Sequence, residues 1–122
     1  MLPRYARLKR NRDFRAVYAR RRLFHGGVLM LYVRPRTAAE RSQGLTAPRF
    51  GFVISKKVSK RANIRNRIKR RLREICRLHV LSKMRADAAV DVMFVARTSA
   101  TDANFSRLMA DVETLGRQAG LF

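Results

Sequence analysis

The sequence predicts an α+β fold, a sheet with helices packed on it. Three short apolar runs, Val28 to Val33, Phe50 to Ser55 and Asp91 to Ala96, are rich in Val, Phe and Tyr and read as buried strands. Two longer stretches, about Asn63 to Leu81 and one opening at Thr101 or Asp102, repeat apolar residues at helical spacing. The chain has 122 residues, 47% of them hydrophobic. That is enough for one core and one domain, with roughly two-thirds of the surface buried on folding.

The elements follow in order. Residues 1–8 form a basic arm containing Pro3. Asn11 is placed to cap a short helix running to about Arg20, with Asp13 in its first turn and Phe14, Val17 and Tyr18 on one apolar face. Gly26-Gly27 breaks the chain, and the strand VLMLYV ends at Arg34-Pro35. A polar loop from about Thr37 to Pro48 precedes FGFVIS, in which Phe50, Phe52 and Ile54 share a face. The 63–81 helix, the strand DVMFVA and a last helix with Phe105, Leu108, Met109, Val112 and Leu115 on one stripe complete the chain. Gly116 and Gly120 weaken its end. The order is helix, two or three strands, helix, strand, helix, without repeats or a second domain.

Charge narrows the function. Lys and Arg number 29 against 8 Asp and Glu, for a formal net charge of +21, which points to nucleic acid before anionic membrane. The longest apolar runs, Gly26 to Val33 and Ala88 to Ala96, fall far short of the ~20 residues of a spanning helix, and the basic N-terminus has no apolar signal core. Cys76 is the only cysteine, so no internal disulfide and no thiolate metal cluster can form; a reducing, cytoplasmic setting fits. His25 and His79 form no ligand pair with recognisable spacing. No catalytic set is visible. Serines are few, no acidic pair stands at useful spacing, and Asp13, Asp87, Asp91 and Asp102 sit near element ends, where capping or loop roles are the default.

From Lys56 to Arg73, ten of eighteen residues are Lys or Arg and none is acidic. At about 100° per residue, Ile64, Ile68, Leu72, Ile75 and His79 form a core-facing stripe. Asn66, Lys69, Arg70, Arg73 and Arg77 fall on the opposite side, and Arg65 and Arg71 flank the stripe, where their stems cover its edge. Glu74, four residues after Arg70, is the single acid available to this face. A mixed-sign run would be a solvated face; one of nearly pure sign, with cations at the positive end of the helix dipole, calls for a polyanion. Arg outnumbers Lys, favouring bidentate phosphate contacts. The aromatics Phe14, Tyr18, Tyr32, Phe50 and Phe52 are core by default, yet a sheet with aromatics beside a basic helix also holds single strands, and the tyrosines are the better candidates.

Arg61 to Arg70, RANIRNRIKR, continued by Arg73-Glu74, resembles the RNR motif of the bacterial ribonuclease P protein subunit. RLKRNRDFRAVY (Arg7 to Tyr18), RFGFVISKKV (Arg49 to Val58) and DVMFVART (Asp91 to Thr98) resemble that family's first helix, the strand before the signature loop and the strand that follows. The resemblance implies an α+β two-layer sandwich of order αβββαβα, with a mixed sheet of about four strands and a left-handed crossover between parallel strands, against the usual right-handed rule. It implies a single RNA-binding domain over 1–122 that is the non-catalytic subunit of a ribonucleoprotein endoribonuclease. The RNA subunit would remove the 5′ leader of precursor tRNA with Mg²⁺ bound mainly by RNA phosphates. By position, Lys56, Lys57, Arg65, Asn66, Arg67, Lys69, Arg70 and Arg73 would contact the catalytic RNA. Phe14, Tyr18 and Tyr32 would line the cleft for the single-stranded leader, and no catalytic or metal-ligating residue is expected of the protein. Its partners would be the catalytic RNA and precursor tRNA, with no membrane and no obligate protein partner. The alternatives are a small structural RNA-binding protein of ribosomal type, which needs no single-strand cleft, and a protein-only nuclease, against which the missing carboxylate cluster speaks.

Overall fold

A computed structural model describes residues 3, 6–19, 22–85 and 87–122. Its elements are α1 (Asn11–Ala19), β1 (Arg22–His25), β2 (Leu29–Pro35), α2 (Ala38–Ser42), β3 (Arg49–Val53), α3 (Ala62–Ile75), β4 (Val90–Ala96) and α4 (Phe105–Gln118). A π-helical segment, Cys76–Leu81, continues α3, and a 3-10 turn, Thr98–Ala100, precedes α4. The expected order therefore holds, with the short helix α2 added.

The four strands form one sheet in the order β1-β2-β4-β3, antiparallel except for the parallel pair β3 and β4. β3 and β4 are joined through α3, because parallel neighbours need a long crossover. Arg7 extends the β3 edge through a parallel bridge to Phe50, with the Leu8 amide donating to the Phe50 carbonyl at 2.7 Å.

Strand alternation gives the sheet two different faces. Leu29, Leu31, Val33, Phe50, Phe52, Val92 and Phe94 point to the side covered by α3 and α4, where Ile68, Leu72, Ile75, Leu108, Val112 and Leu115 close the main core. Tyr32 and Met93 point the other way and pack with Leu8 and Val17 under α1, bordered by Phe14, Met30, Val53 and Val95. Gly51 lets α1 sit close. A Cβ there would lie 2.6 Å from Cε1 of Phe14 and 2.9 Å from Cδ1 of Leu8.

Several boundaries differ from expectation. Asn11 is the first helical residue of α1 instead of its cap, and the expected end at Arg20 lies outside the described residues, as do residues 1, 2, 4 and 5 of the arm. The Thr37–Pro48 loop contains α2, whose capping box joins the Thr37 side chain to the Glu40 amide and the Glu40 carboxylate to the Thr37 amide. α4 begins later than Thr101 or Asp102, capped by Asn104, whose Oδ1 accepts from the Arg107 amide at 2.8 Å. β1, which the sequence pattern did not locate, joins β2 through Gly26-Gly27. That turn is fastened from α4: the buried Asp111 carboxylate accepts from the Val28 amide at 2.7 Å and the Leu29 amide at 3.1 Å.

Candidate nucleic-acid interface

α3 divides as its periodicity requires. Ile68, Leu72 and Ile75 are buried, while Asn66, Arg67 and Arg70 are exposed and Arg65, Lys69 and Arg73 are half-buried. Lys56 and Lys57 are exposed in the turn before the helix. No side-chain cap satisfies the first turn of α3, and no acid lies in it, so the helix presents free amides together with cations. Arg65 partly serves the fold: its Nη1 donates to the Ser59 carbonyl at 2.8 Å. Arg71 does the same toward the Ala103 carbonyl at 3.4 Å. Glu74 pairs with Arg77, three residues on, and not with Arg70 as the sequence suggested. The pair neutralises the C-terminal end of the face and leaves Arg70 exposed with no ion pair among the described residues.

The aromatics separate into two groups. Phe50 and Phe52 lie on the main-core side, with Phe52 stacked on Phe94 at 6.3 Å between ring centroids. Phe14, Tyr18 and Tyr32 gather on the α1 side, where the Tyr18 and Tyr32 rings meet edge-to-face at 5.2 Å. Tyr32 is only 9% exposed and Tyr18 is 39% exposed, so the ring offered to solvent is that of Tyr18. The five-aromatic constellation read from sequence thus reduces to three residues, and their accessible member is on the helix.

A small cleft of about 160 Å³ joins the two sets of residues, lined by Arg7, Leu8, Phe14, Phe52, Lys69 and Arg73 among others. Burial, and secondarily the charge of nearby Arg7, presses the Arg73 guanidinium below the ordinary arginine range. An anion placed between them would offset that repulsion. No motif marks Arg7 for this place; its bridge to the β3 edge brings it here.

The acids are spent internally. Asp91, expected to be a loop or cap residue, is fully buried at the start of β4. Its register partners are Arg34 on β2 and Arg49 on β3, so it stands between two arginines. Arg34 Nη1 donates to Asp91 Oδ2 at 3.0 Å, Arg36 Nη2 to Oδ1 at 3.0 Å, and Arg49 Nε and Nη2 to the two oxygens at 3.0 and 3.1 Å. Glu40 completes the cluster at 2.5 Å from Arg34 Nη2, and hydrogen bonding from that guanidinium holds its carboxyl down to about 2. Asp13 lies 3.7 Å from Arg49, Asp87 pairs with Arg85, Asp111 with Arg107 and Glu113 with Lys83. Of the eight acidic residues, Asp102 alone has no ion pair among the described residues. Cys76 is fully buried, and burial raises its thiol beyond the range of ordinary reactivity. Among the described residues no group of three His, Cys, Asp or Glu could hold a metal ion, and no helix is long and apolar enough to cross a membrane.

A sheet closed on one side by two helices, an aromatic strip under a single helix on the other, and an outward cationic helix beside it define a basic α+β sandwich suited to a polyanion. Comparison with known proteins names the family. Residues 2–120 match the Ribonuclease P family. The ribonuclease P protein component of Clostridium kluyveri is 34% identical over 116 residues, covering 95% of this chain and 96% of that protein. That of Desulfovibrio desulfuricans is 37% identical over 120 residues, covering 97% and 85%. The solved RNase P protein of Staphylococcus aureus superposes with a TM-score of 0.81 at 26% identity, over 96% of this chain and 97% of that one. The Thermotoga maritima protein, at 21% identity and a TM-score of 0.74, shares the fold. The chain belongs to the ribonuclease P protein family.

Proposed function

We propose that this chain is the RNA-binding protein subunit of a cytoplasmic ribonuclease P that removes the 5′ leader of precursor tRNA. Lys56, Lys57, Arg65, Asn66, Arg67, Lys69, Arg70 and Arg73 contact the catalytic RNA, and Phe14, Tyr18 and Tyr32 form the track for the single-stranded leader. The observation that carries this reading is the junction between the two sets, where Phe14 shares a cleft with Lys69 and Arg73. A strand leaving an RNA bound to α3 meets aromatic surface within the same groove.

The chain acts by positioning charge. The exposed cations of α3 offset phosphate repulsion where RNA segments converge, so less free Mg²⁺ is needed to hold the fold of the catalytic RNA. In this reading Mg²⁺ is held mainly by RNA phosphates and supplies water activation and leaving-group stabilisation. The Tyr18 ring, backed edge-on by Tyr32, gives a base a rigid stacking surface, and the cations of α3 meet its phosphates. Holding the leader fixes the substrate relative to the RNA and lowers the entropic cost of reaching the cleavage geometry.

Reconstitution with a ribonuclease P RNA tests this. Added protein should lower the Mg²⁺ concentration at half-maximal cleavage and tighten binding of leader-bearing precursor over mature tRNA. No change in either quantity would refute the reading in favour of a purely structural RNA-binding protein.

A further inference from the structure

We propose that the cleft between α1 and the α2–β3 connection is a second phosphate site, holding the 5′ leader beyond the stretch that lies along Tyr18. The inference rests on the leader-binding reading above and extends it to residues outside the family motif.

The cleft encloses about 660 Å³ and is lined by the chain preceding α1, one side of that helix, and the segment from Glu40 to Arg49. Its cations are Arg7, Lys9, Arg10, Arg12 and Arg49, and its acids are Asp13 and Glu40. Both acids are already committed. Glu40 is held by Arg34, and Asp13 faces Arg49, which itself chelates Asp91. Counting Arg36, which also pairs with Asp91, the three arginines and three carboxylates at and behind this wall balance. The exposed Lys9, Arg10 and Arg12 on the rim have no ion pair among the described residues. Leu45, 37% exposed, gives the outer wall an apolar element.

Position favours a single strand of the leader over the catalytic RNA. At about 100° per residue, Arg12, Asp13 and Ala16 fall on one flank of α1, and Phe14 and Tyr18 on the other. The helix therefore stands as a partition between this cleft and the aromatic strip. Arg7 lines both this cleft and the one shared by Phe14, Lys69 and Arg73. With Arg7 common to both just ahead of α1, a flexible strand leaving the aromatics has a short route past Arg7 to Lys9, Arg10 and Arg12. A rigid RNA duplex meets cations on a convex helix such as α3; a recess walled by a helix and a loop admits one backbone.

The test uses reconstituted holoenzyme and two precursor tRNAs, one with a leader confined to the aromatic strip and one long enough to round the start of α1. A Lys9→Ala/Arg12→Ala double variant should bind the long-leader substrate about tenfold more weakly, with a log–log salt slope shallower by about two. Binding of the short-leader substrate should stay the same. Equal losses for both substrates would overturn the proposal and assign the cleft to the catalytic RNA or the tRNA body, and no loss for either would make it a solvated patch. Arg10→Gln, on an exposed side chain before the helix, provides the same readout should the double variant melt early. Tyr18→Ala separates this idea from the one beneath it. Loss of leader affinity at Tyr18 without any length effect at Lys9 and Arg12 discards the cleft alone, whereas a length effect without a Tyr18 effect keeps the cleft and discards the aromatic track.

Discussion

Arg34, Arg36 and Arg49 converge on the buried Asp91, and Glu40 and Asp13 bring the cluster to neutrality, whereas Arg67 and Arg70 stand exposed on α3 with no ion pair among the described residues. The residue type is the same and the physical role is opposite. In the first region the guanidinium forks serve as cross-links, tying β2, β3 and β4 to the segment around α2, with Arg36 also donating to the Leu45 and Val90 carbonyls at 3.0 and 3.1 Å. In the second they form a surface whose mutual repulsion is endured by the fold and would be relieved by a polyanionic partner. Net charge alone does not reveal which arginines belong to which class; proximity to an acid does.

The largest expected effect comes from uncoupling the buried cluster. Asp91→Ala strips the buried Arg36 of its only acid and leaves three guanidiniums against two peripheral carboxylates, and should cost about 3–5 kcal/mol in urea unfolding. A loss below ~1 kcal/mol would mean that water reaches the cluster and that the contrast with α3 is overstated. Next, Tyr18→Ala should weaken leader-bearing precursor by about 1–3 kcal/mol relative to mature tRNA while leaving the buried cluster intact. Tyr32→Phe, which keeps the buried ring, should change that affinity far less.

Acid titration probes the rim of the cluster with a smaller effect. Glu40 is depressed from 4.5 to about 2, first by hydrogen bonding from Arg34. Its stabilisation is therefore complete above the ordinary carboxyl value and is lost as pH falls from 4.5 toward 2. Amide exchange at Thr37 to Leu45 should accelerate in that window, and Glu40→Gln should show fast exchange already at neutral pH. The smallest stability effect belongs to the exposed face. Arg67→Ala or Arg70→Ala should shift unfolding by less than ~0.5 kcal/mol, yet reduce the salt slope of catalytic-RNA binding by about one. A stability loss approaching that of Asp91→Ala would erase the distinction between the two regions.

What the sequence disclosed follows this division. Local periodicity sufficed for α3, for the alternation of Phe50, Phe52 and Ile54, and for the separation of the Ile and Leu stripe from the cationic face, because each depends on neighbours within a few residues. The Asp91 cluster leaves no local pattern because its arginines lie 42 to 57 residues from Asp91 in sequence and meet it only through strand pairing. Only the register sets Arg34 and Arg49 opposite Asp91. β1 was hidden by its four-residue length and by a Gly-Gly turn that reads as a break. The Tyr18 and Tyr32 rings do meet, but which of the two faces solvent depends on how closely α1 is seated, and Gly51 permits that close approach.

The confinement of seven carboxylates to internal pairs also has a kinetic consequence. An approaching RNA senses the molecule first as a field, at distances where no individual contact exists, and that field contains little that would turn a phosphate away. Encounter should accordingly be fast and steeply slowed by added electrolyte, while the lifetime of the complex is governed by the contacts made after arrival.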